Sequence, residues 1–269
     1  LADSVNNNDC VAIGYKALQD QDVDGAGNTA IGHQAALNLT TGQFSTYLGY
    51  NAGGLGTITG NNNVCVGYTA GYDLTSGHSN VIIGTQAAQN LTANNHNVVV
   101  GHGAMEQANA GEHYNVVIGS AALATMDQPN GDGNVAIGYH AAKNIRSGSN
   151  NVFVGRFTGS SNSTGTNNFA SGNHALAYNL SGGGNIAIGG ESLGNNISGG
   201  HNVSSGCRAL FCNTTSSYNV ALGYQALKTN TFGNNIAIGD NSQKYITTGE
   251  KNICIGNNSG FNTTTGEKN

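Results

Sequence analysis

The 269-residue sequence has no tryptophan, a single proline and few charges, with only 9% of its residues Asp, Glu, Lys or Arg. Ordinary globular domains carry roughly 25% charged residues, so Asn, Thr and Ser must supply the solvated surface here. Nine basic side chains in a chain of net charge −5 form no patch that could displace counterions from a phosphate backbone, which excludes nucleic acid as a partner. No apolar run approaches the ~18 residues that a membrane-spanning helix needs. Without a CxxC pair or a Cys/His cluster there is no zinc signature. No secretory leader is visible, and the chain opens on Leu1 rather than Met, which predicts processing or trimming. The closing TTGEKN (264–269) copies TTGEKN at 247–252, where strand-like residues follow at once. This predicts a segment of a longer array.

What is abundant is glycine, 42 residues in all, and much of it falls in register. Gly14, Gly32, Gly49, Gly67, Gly84, Gly101, Gly119, Gly138, Gly155, Gly172, Gly189, Gly206, Gly223, Gly239 and Gly256 each close a mostly apolar tripeptide, about 17 residues apart. A period this short cannot hold two packed helices. It predicts one coil of a parallel β-solenoid, two short strands joined by tight turns, repeated about 15 times as a single array over residues 1–269. At ~4.8 Å per rung such an array would form a rod of roughly 70 Å.

Each column of the repeat carries a physical expectation. Four residues before the glycine stands Asn: Asn28, Asn63, Asn80, Asn97, Asn115, Asn134, Asn151, Asn168, Asn185, Asn202, Asn219, Asn235 and Asn252. Stacked rungs would bring these amides within bonding reach of one another, a structural ladder rather than a ligand site; Asn also tolerates the left-handed backbone of a corner. The residues three before and one before the glycine, such as Val81 and Ile83 or Ile186 and Ile188, share one face and are predicted to fill the interior. The residue between them is apolar too (Ala30, Cys65, Ile82, Val99, Phe153, Ala187). It is predicted to form an outward stripe buried against sister chains. Ser171 and Ser205 would then thin the core. Three residues after the glycine a small residue recurs, as in Ala17, Ala35, Ala52, Ala70 and Ala87, which predicts a narrow interior.

Phrases such as NVAIGYHA (134–141), NIAIG (185–189) and NVALGYQAL (219–227) resemble the repeats of trimeric autotransporter adhesin heads. The likeness covers essentially the whole chain, whose repeat is somewhat longer by an inserted Asn-Thr-Thr-Gly-like turn. Similar repeats resemble those of phage and viral fibres. The resemblance implies a left-handed β-roll, a homotrimer and a place on a cell or virion surface.

Several local signals compete with purely structural explanations. In DQDVDG, Asp20, Asp22 and Asp24 followed by Gly25 match the first half of a calcium loop, although Ile31 stands where the bidentate Glu belongs. Ca²⁺ binding and a solvated corner insertion are both open, as they are for Asp127 and Asp132 in DQPNGDGN. Asn38, Asn90, Asn162, Asn179, Asn196, Asn213 and Asn262 each begin Asn-x-Ser/Thr six or seven residues after a rung glycine. Either they carry a row of N-glycans along one edge, or a repeated turn merely repeats the sequon. Cys207 and Cys212 could bridge across a bend, while Cys65 and Cys254 read as small buried apolar residues; Cys10 has no evident mate. Tyr15, Tyr50, Tyr68, Tyr139 and Tyr224 follow rung glycines, placed either to stack on sugars or to pack on the next rung. No Ser/His/Asp set, phosphate loop or paired carboxylates emerges, so no catalysis is expected.

The expected function is an extracellular structural or adhesion fibre segment, self-associating as a homotrimer and meeting cell-surface glycans or matrix, with no membrane insertion. The alternatives are a glycosylated filament whose subunits stack end to end, a viral receptor-binding fibre, and an ice-binding solenoid. The last is hinted at by Thr40, Thr92, Thr164, Thr214, Thr248 and Thr264.

Overall fold

The computed structural model describes residues 9–21, 26–54, 56–109, 111–128 and 130–266. The chain divides into two compact units, 1–134 and 135–269. The first holds β1 (Val11–Ile13), β2 (Thr29–Ile31), β3 (Thr46–Leu48), β4 (Val64–Val66), β5 (Val81–Ile83), β6 (Val98–Val100) and β7 (Val116–Ile118). The second holds β8 (Val135–Ile137), β9 (Val152–Val154), β10 (Phe169–Ser171), β11 (Ile186–Ile188), β12 (Val203–Ser205), β13 (Val220–Leu222), β14 (Ile236–Ile238) and β15 (Ile253–Ile255). Within each unit every strand pairs in parallel with the next in chain order, column on column. Val81 lies opposite Val98 in the first unit, and Ile186 opposite Val203 in the second. The chain is thus all-β, a parallel β-solenoid with one strand per repeat.

The rung glycine explains why each strand stops after three residues. Its φ lies between +115° and +141° throughout, a region that a Cβ makes costly. Stacking adds a second reason. A Cβ on Gly84 would sit 2.5 Å from the carbonyl oxygen of Gly101, and one on Gly206 only 2.3 Å from that of Gly223. The glycines therefore stack backbone on backbone.

Two strands per coil were expected, but among the described residues only one forms. Past the glycine, the second and fourth residues adopt left-handed backbone, for example Gln86 (φ 55°) and Ala88 (φ 45°) after Gly84. This alternation curls the chain into successive turns instead of an extended segment. The ladder nevertheless continues: Ala36 N–H donates to Ala52 O at 2.9 Å, and Ala88 N–H to Ala104 O at 2.8 Å. Another left-handed corner falls on the residue just before each ladder Asn, as at Ser79 (φ 58°) and His201 (φ 56°), rather than on the Asn itself.

The strand faces are the reverse of the expectation. The middle residues Ala30, Tyr47, Cys65, Ile82, Val99, Val117, Phe153 and Ala187 are fully buried. Their flanking neighbours point out, with Ile83, Ile118, Ile186 and Ile188 all exposed. Ser171 and Ser205 accordingly interrupt the outer face and leave the core intact. The inward residues of those rungs are Ala170 and Ser204; the Ser204 hydroxyl donates to Ala209 O at 2.9 Å.

The core fills by exchange of volume within a rung. Where the strand-middle residue is large, the residue six positions later is glycine: Tyr47 with Gly53, Phe153 with Gly159. A Cβ on either glycine would meet the ring at 2.4 and 2.5 Å respectively. Where the middle residue is Ala187 or Ala221, a buried leucine (Leu193, Leu227) occupies the partner position. Near-constant volume keeps the interior closely packed, and the buried alanines Ala35, Ala52, Ala70 and Ala87 line its narrow side.

Candidate functional surfaces

Two files of asparagine run through the interior. In the first, most amides do three jobs. Asn63 Oδ1 accepts from the Asn80 backbone N–H at 3.0 Å and from Asn80 Nδ2 at 3.1 Å, while Asn63 Nδ2 donates to Gly77 O at 2.8 Å. The same set recurs at Asn168, Asn185 and Asn202 in the second unit, whose Nδ2 groups donate to Gly182 O, Gly199 O and Ser216 O. No other neutral side chain of this size offers a two-lone-pair acceptor and two donors together. Where Asn is missing, a substitute acceptor stands in. Ser45 Oγ accepts from Asn63 N–H at 3.0 Å, and Cys10 Sγ from Asn28 N–H at 3.3 Å. That gives Cys10 a place in the repeat which the sequence did not reveal.

The second file corrects the row of glycans. Asn162, Asn179, Asn196 and Asn213 lie seven residues after their rung glycines and are fully buried. Asn179 Nδ2 donates to Asn162 Oδ1 at 2.5 Å and to Gly182 O at 2.8 Å; Asn196 and Asn213 repeat the pattern. A sugar on Asn179, Asn196 or Asn213 would replace one of the two donated amide hydrogens, and at a fully buried nitrogen it would have no room. Asn38, Asn90 and Asn262 lie one residue earlier in their repeats, half-buried or exposed, so the seven sequons do not share one edge. In the first unit the interior position belongs instead to Leu39, Leu74 and Leu91. Replacing Asn179 by Ala should cost about 2 kcal/mol, because in a buried site Asn162 Oδ1 loses this donor and Asn196 Nδ2 loses an acceptor, while Gly182 O keeps only Asn168 Nδ2. Urea denaturation of the variant checks this.

Of the calcium candidates, Asp20 is exposed, while Asp22 and Asp24 lie outside the described residues. Among the described residues no three His, Cys, Asp or Glu side chains converge as a metal site would require. Asp132 Oδ1 accepts from the His113 N–H at 2.7 Å, which makes it a corner brace. Cys207 and Cys212 are both free thiols, the first exposed and the second half-buried, with the buried Ala209 and Leu210 between them. Burial holds the Cys65 thiol at about 12, so it stays protonated and inert. Tyr15, His33, Tyr50 and Tyr68 stack ring on ring at 4.8–5.4 Å, packing rung against rung. The Thr40 and Thr248 hydroxyls donate to Ile58 O and Thr264 O, both at 3.3 Å. Their protons are committed to the ladder rather than displayed to an ice lattice.

One feature that the sequence did not announce lies in the first unit. Seven residues before the rung glycine, Gly42, Gly60 and Gly77 give way to Asn94 and Glu112, both fully buried. Asn94 Nδ2 donates to Glu112 Oε2, whereas Asn94 Oδ1 and Glu112 Oε1 have no partner among the described residues. The buried neighbour Ala108, standing where other rungs have Leu or Met, leaves the volume that Glu112 needs. Burial, with Asp132 and Asp127 adding to it, pushes the Glu112 carboxyl up to about 7 despite the Asn94 bond. The signal was available as a break in a glycine column.

The outer strand face is an exposed apolar surface. In the first unit it carries Val11, Ile13, Leu48, Ile83 and Ile118; in the second Val154, Phe169, Ile186, Ile188, Ile253 and Ile255. A β-solenoid repeat protein with an apolar sheet face is the class these observations define. No protein-family model and no curated protein sequence matches the chain.

Proposed function

We propose that this chain is a segment of an extracellular fibre that self-associates as a homotrimer through its outer strand faces and serves surface attachment or display. The observation that carries the reading is the pair of mainly apolar rows flanking the strand centres, exposed or half-buried in both units. Contiguous apolar surface beyond a few hundred Å² on a soluble chain marks an interaction site, and parallel strands are normally covered on both faces. The resemblance to adhesin-head repeats points the same way. The rest of the surface, poor in charge and rich in Asn, Thr and Ser, suits weak contacts made many times over. The glycan-sheathed alternative is disfavoured by the buried sequons, and the ice-binding one by the committed threonines.

Sedimentation velocity tests the reading. The wild-type chain should sediment at three times its own mass, and an Ile186→Lys/Ile188→Lys variant should be monomeric with unchanged far-UV circular dichroism. A wild type that stays monomeric at about 100 μM, where interfaces of this kind form, would overturn it.

A further inference from the structure

In a repeat protein, residues that depart together from the consensus without serving the ladder are the ones to ask about. Two successive rungs of the second unit, those of β10 and β11, do so on the edge away from the strands. Six residues after its glycine, Tyr178 takes a position held by Asn or Asp in rungs such as those of Asn38, Asp73 and Asn90, and it is 59% exposed. Two residues further on, Leu180 and Ile197 are exposed where Thr40, Thr75 and Thr92 stand in the first unit. Beside Tyr178, the small residues Ala177 and Gly194 open a depression that Phe211 closes; a Cβ on Gly194 would come within 3.2 Å of the Phe211 ring. The result is two adjoining depressions of about 280 and 610 Å³ that share Tyr178 and Asn195. Together they make a trough of ligand-binding size.

Its chemistry is mixed in a particular way. Tyr178 and Phe211 offer flat apolar ring surface, and Leu180 and Ile197 extend the apolar floor. Around it stand the Asn195 amide, the Ser161 and Thr214 hydroxyls and the Glu191 carboxylate. Glu191 is held by two bonds from Arg208, Nε at 2.7 Å and Nη2 at 3.3 Å. These fix the carboxylate's orientation and offset its charge. A trough with oriented acceptors, hydroxyls and amides but little net charge complements a ligand that is neutral, rich in hydroxyl groups and apolar on its flat faces. Pyranose rings have that combination: C–H faces stack on aromatic rings while equatorial hydroxyls reach the polar rim.

We propose that this trough binds a neutral oligosaccharide, with Tyr178 as the stacking platform and Asn195 and Glu191 as its hydrogen-bonding groups. The site lies off the strand face and goes beyond the fibre reading, so either can fail without the other.

Saturation-transfer NMR with cellotetraose, maltotetraose, mannotetraose and chitotetraose as probes tests the proposal, since the readout does not depend on the protein's assembly state. At least one probe should bind with Kd below about 10 mM. Tyr178→Ala, an exposed change that leaves the ladder intact, should weaken binding at least tenfold. Asn195→Ala should weaken it less, and Tyr50→Ala, a stacked tyrosine of the first unit, should leave it unchanged. The proposal is overturned if no probe binds at that concentration, or if Tyr178→Ala binds as the wild type does. It is equally overturned if a sulfated or sialylated oligosaccharide binds in preference to every neutral one, or if Tyr178→Ala dissociates the oligomer, which would make the trough a contact with a second copy.

Discussion

Gly206→Ala is expected to destabilise the second unit by more than about 4 kcal/mol, near the upper end of single-residue effects, while Gly190→Ala, in the same unit, changes stability by less than about 1 kcal/mol. Gly206 has φ +140°, and its added Cβ would lie 2.3 Å from the Gly223 carbonyl oxygen and 2.5 Å from the carbonyl carbon. Neither atom is the end of a flexible side chain, so relief requires two rungs to separate. Separation breaks the bonds that hold them, among them Gly223 N–H to Ser205 O at 2.8 Å. At Gly190 the nearest atom to an added Cβ is Asn173 O at 3.9 Å, and the backbone is not left-handed. Equilibrium urea denaturation followed by circular dichroism reads the difference. In a thermal scan it should correspond to a drop of roughly 10–20 °C for Gly206→Ala. Equal effects of the two substitutions would mean that the glycine file does not stack as described.

The second large effect belongs to Glu112 and depends on pH. Its carboxyl is fully buried with no cation against it among the described residues, and Asp127 and Asp132 are the charged groups that act on it. In the unfolded chain it titrates in the ordinary carboxylate range near 4.5; in the folded chain it is pushed up to about 7. The folded state therefore holds a proton that the unfolded state releases between these values. The stabilisation is fully present below about 4.5 and is lost as pH rises through about 7, the opposite of a salt-bridged carboxylate. A proton on Oε1 also supplies the donor that Asn94 Oδ1 lacks, so that acid and amide can bond at both ends. With allowance for screening, the loss amounts to about 2 kcal/mol of first-unit stability.

Glu112→Gln places a permanent amide donor on that side. It should raise stability by a similar amount, about 2 kcal/mol, above pH 7 and flatten the profile between pH 4.5 and 7. Denaturation midpoints measured from pH 4 to 8 check both statements. A wild type that gains stability as pH rises from 5 to 7, with Glu112→Gln following the same curve, would contradict them.

The adhesion reading places the apolar outer face at the centre of assembly, and the inverted strand parity strengthens it. The sequence pattern assigned a single row to the outside, mixed from Ala, Val, Ile, Cys and Phe. The fold instead turns outward two rows per unit made mainly of valine, leucine and isoleucine, interrupted at Thr29 and Thr46 in the first and at Ser171 and Ser205 in the second. If the faces of three chains meet, those two serines mark where the interface is least apolar.

By itself the sequence determined the repeat, its period, the parallel stacking and the places where side chains align. A file of identical residues at a constant step has few other physical solutions, and the glycine, asparagine and alanine columns each name a backbone or packing requirement. Which face of the strand is inside was decided only by tertiary structure. In Val-Ile-Ile or Ile-Ala-Ile all three residues are apolar, so alternation carries no sign. The direction is set by the glycine's positive φ together with the left-handed corner before the ladder asparagine. The same one-residue shift of parity separates the buried Asn179 from the outward Asn38, though both begin the same three-residue motif. The one sequence signal able to resolve it was the exchange of Tyr47 and Phe153 against Gly53 and Gly159, because only residues that share an interior need to conserve volume.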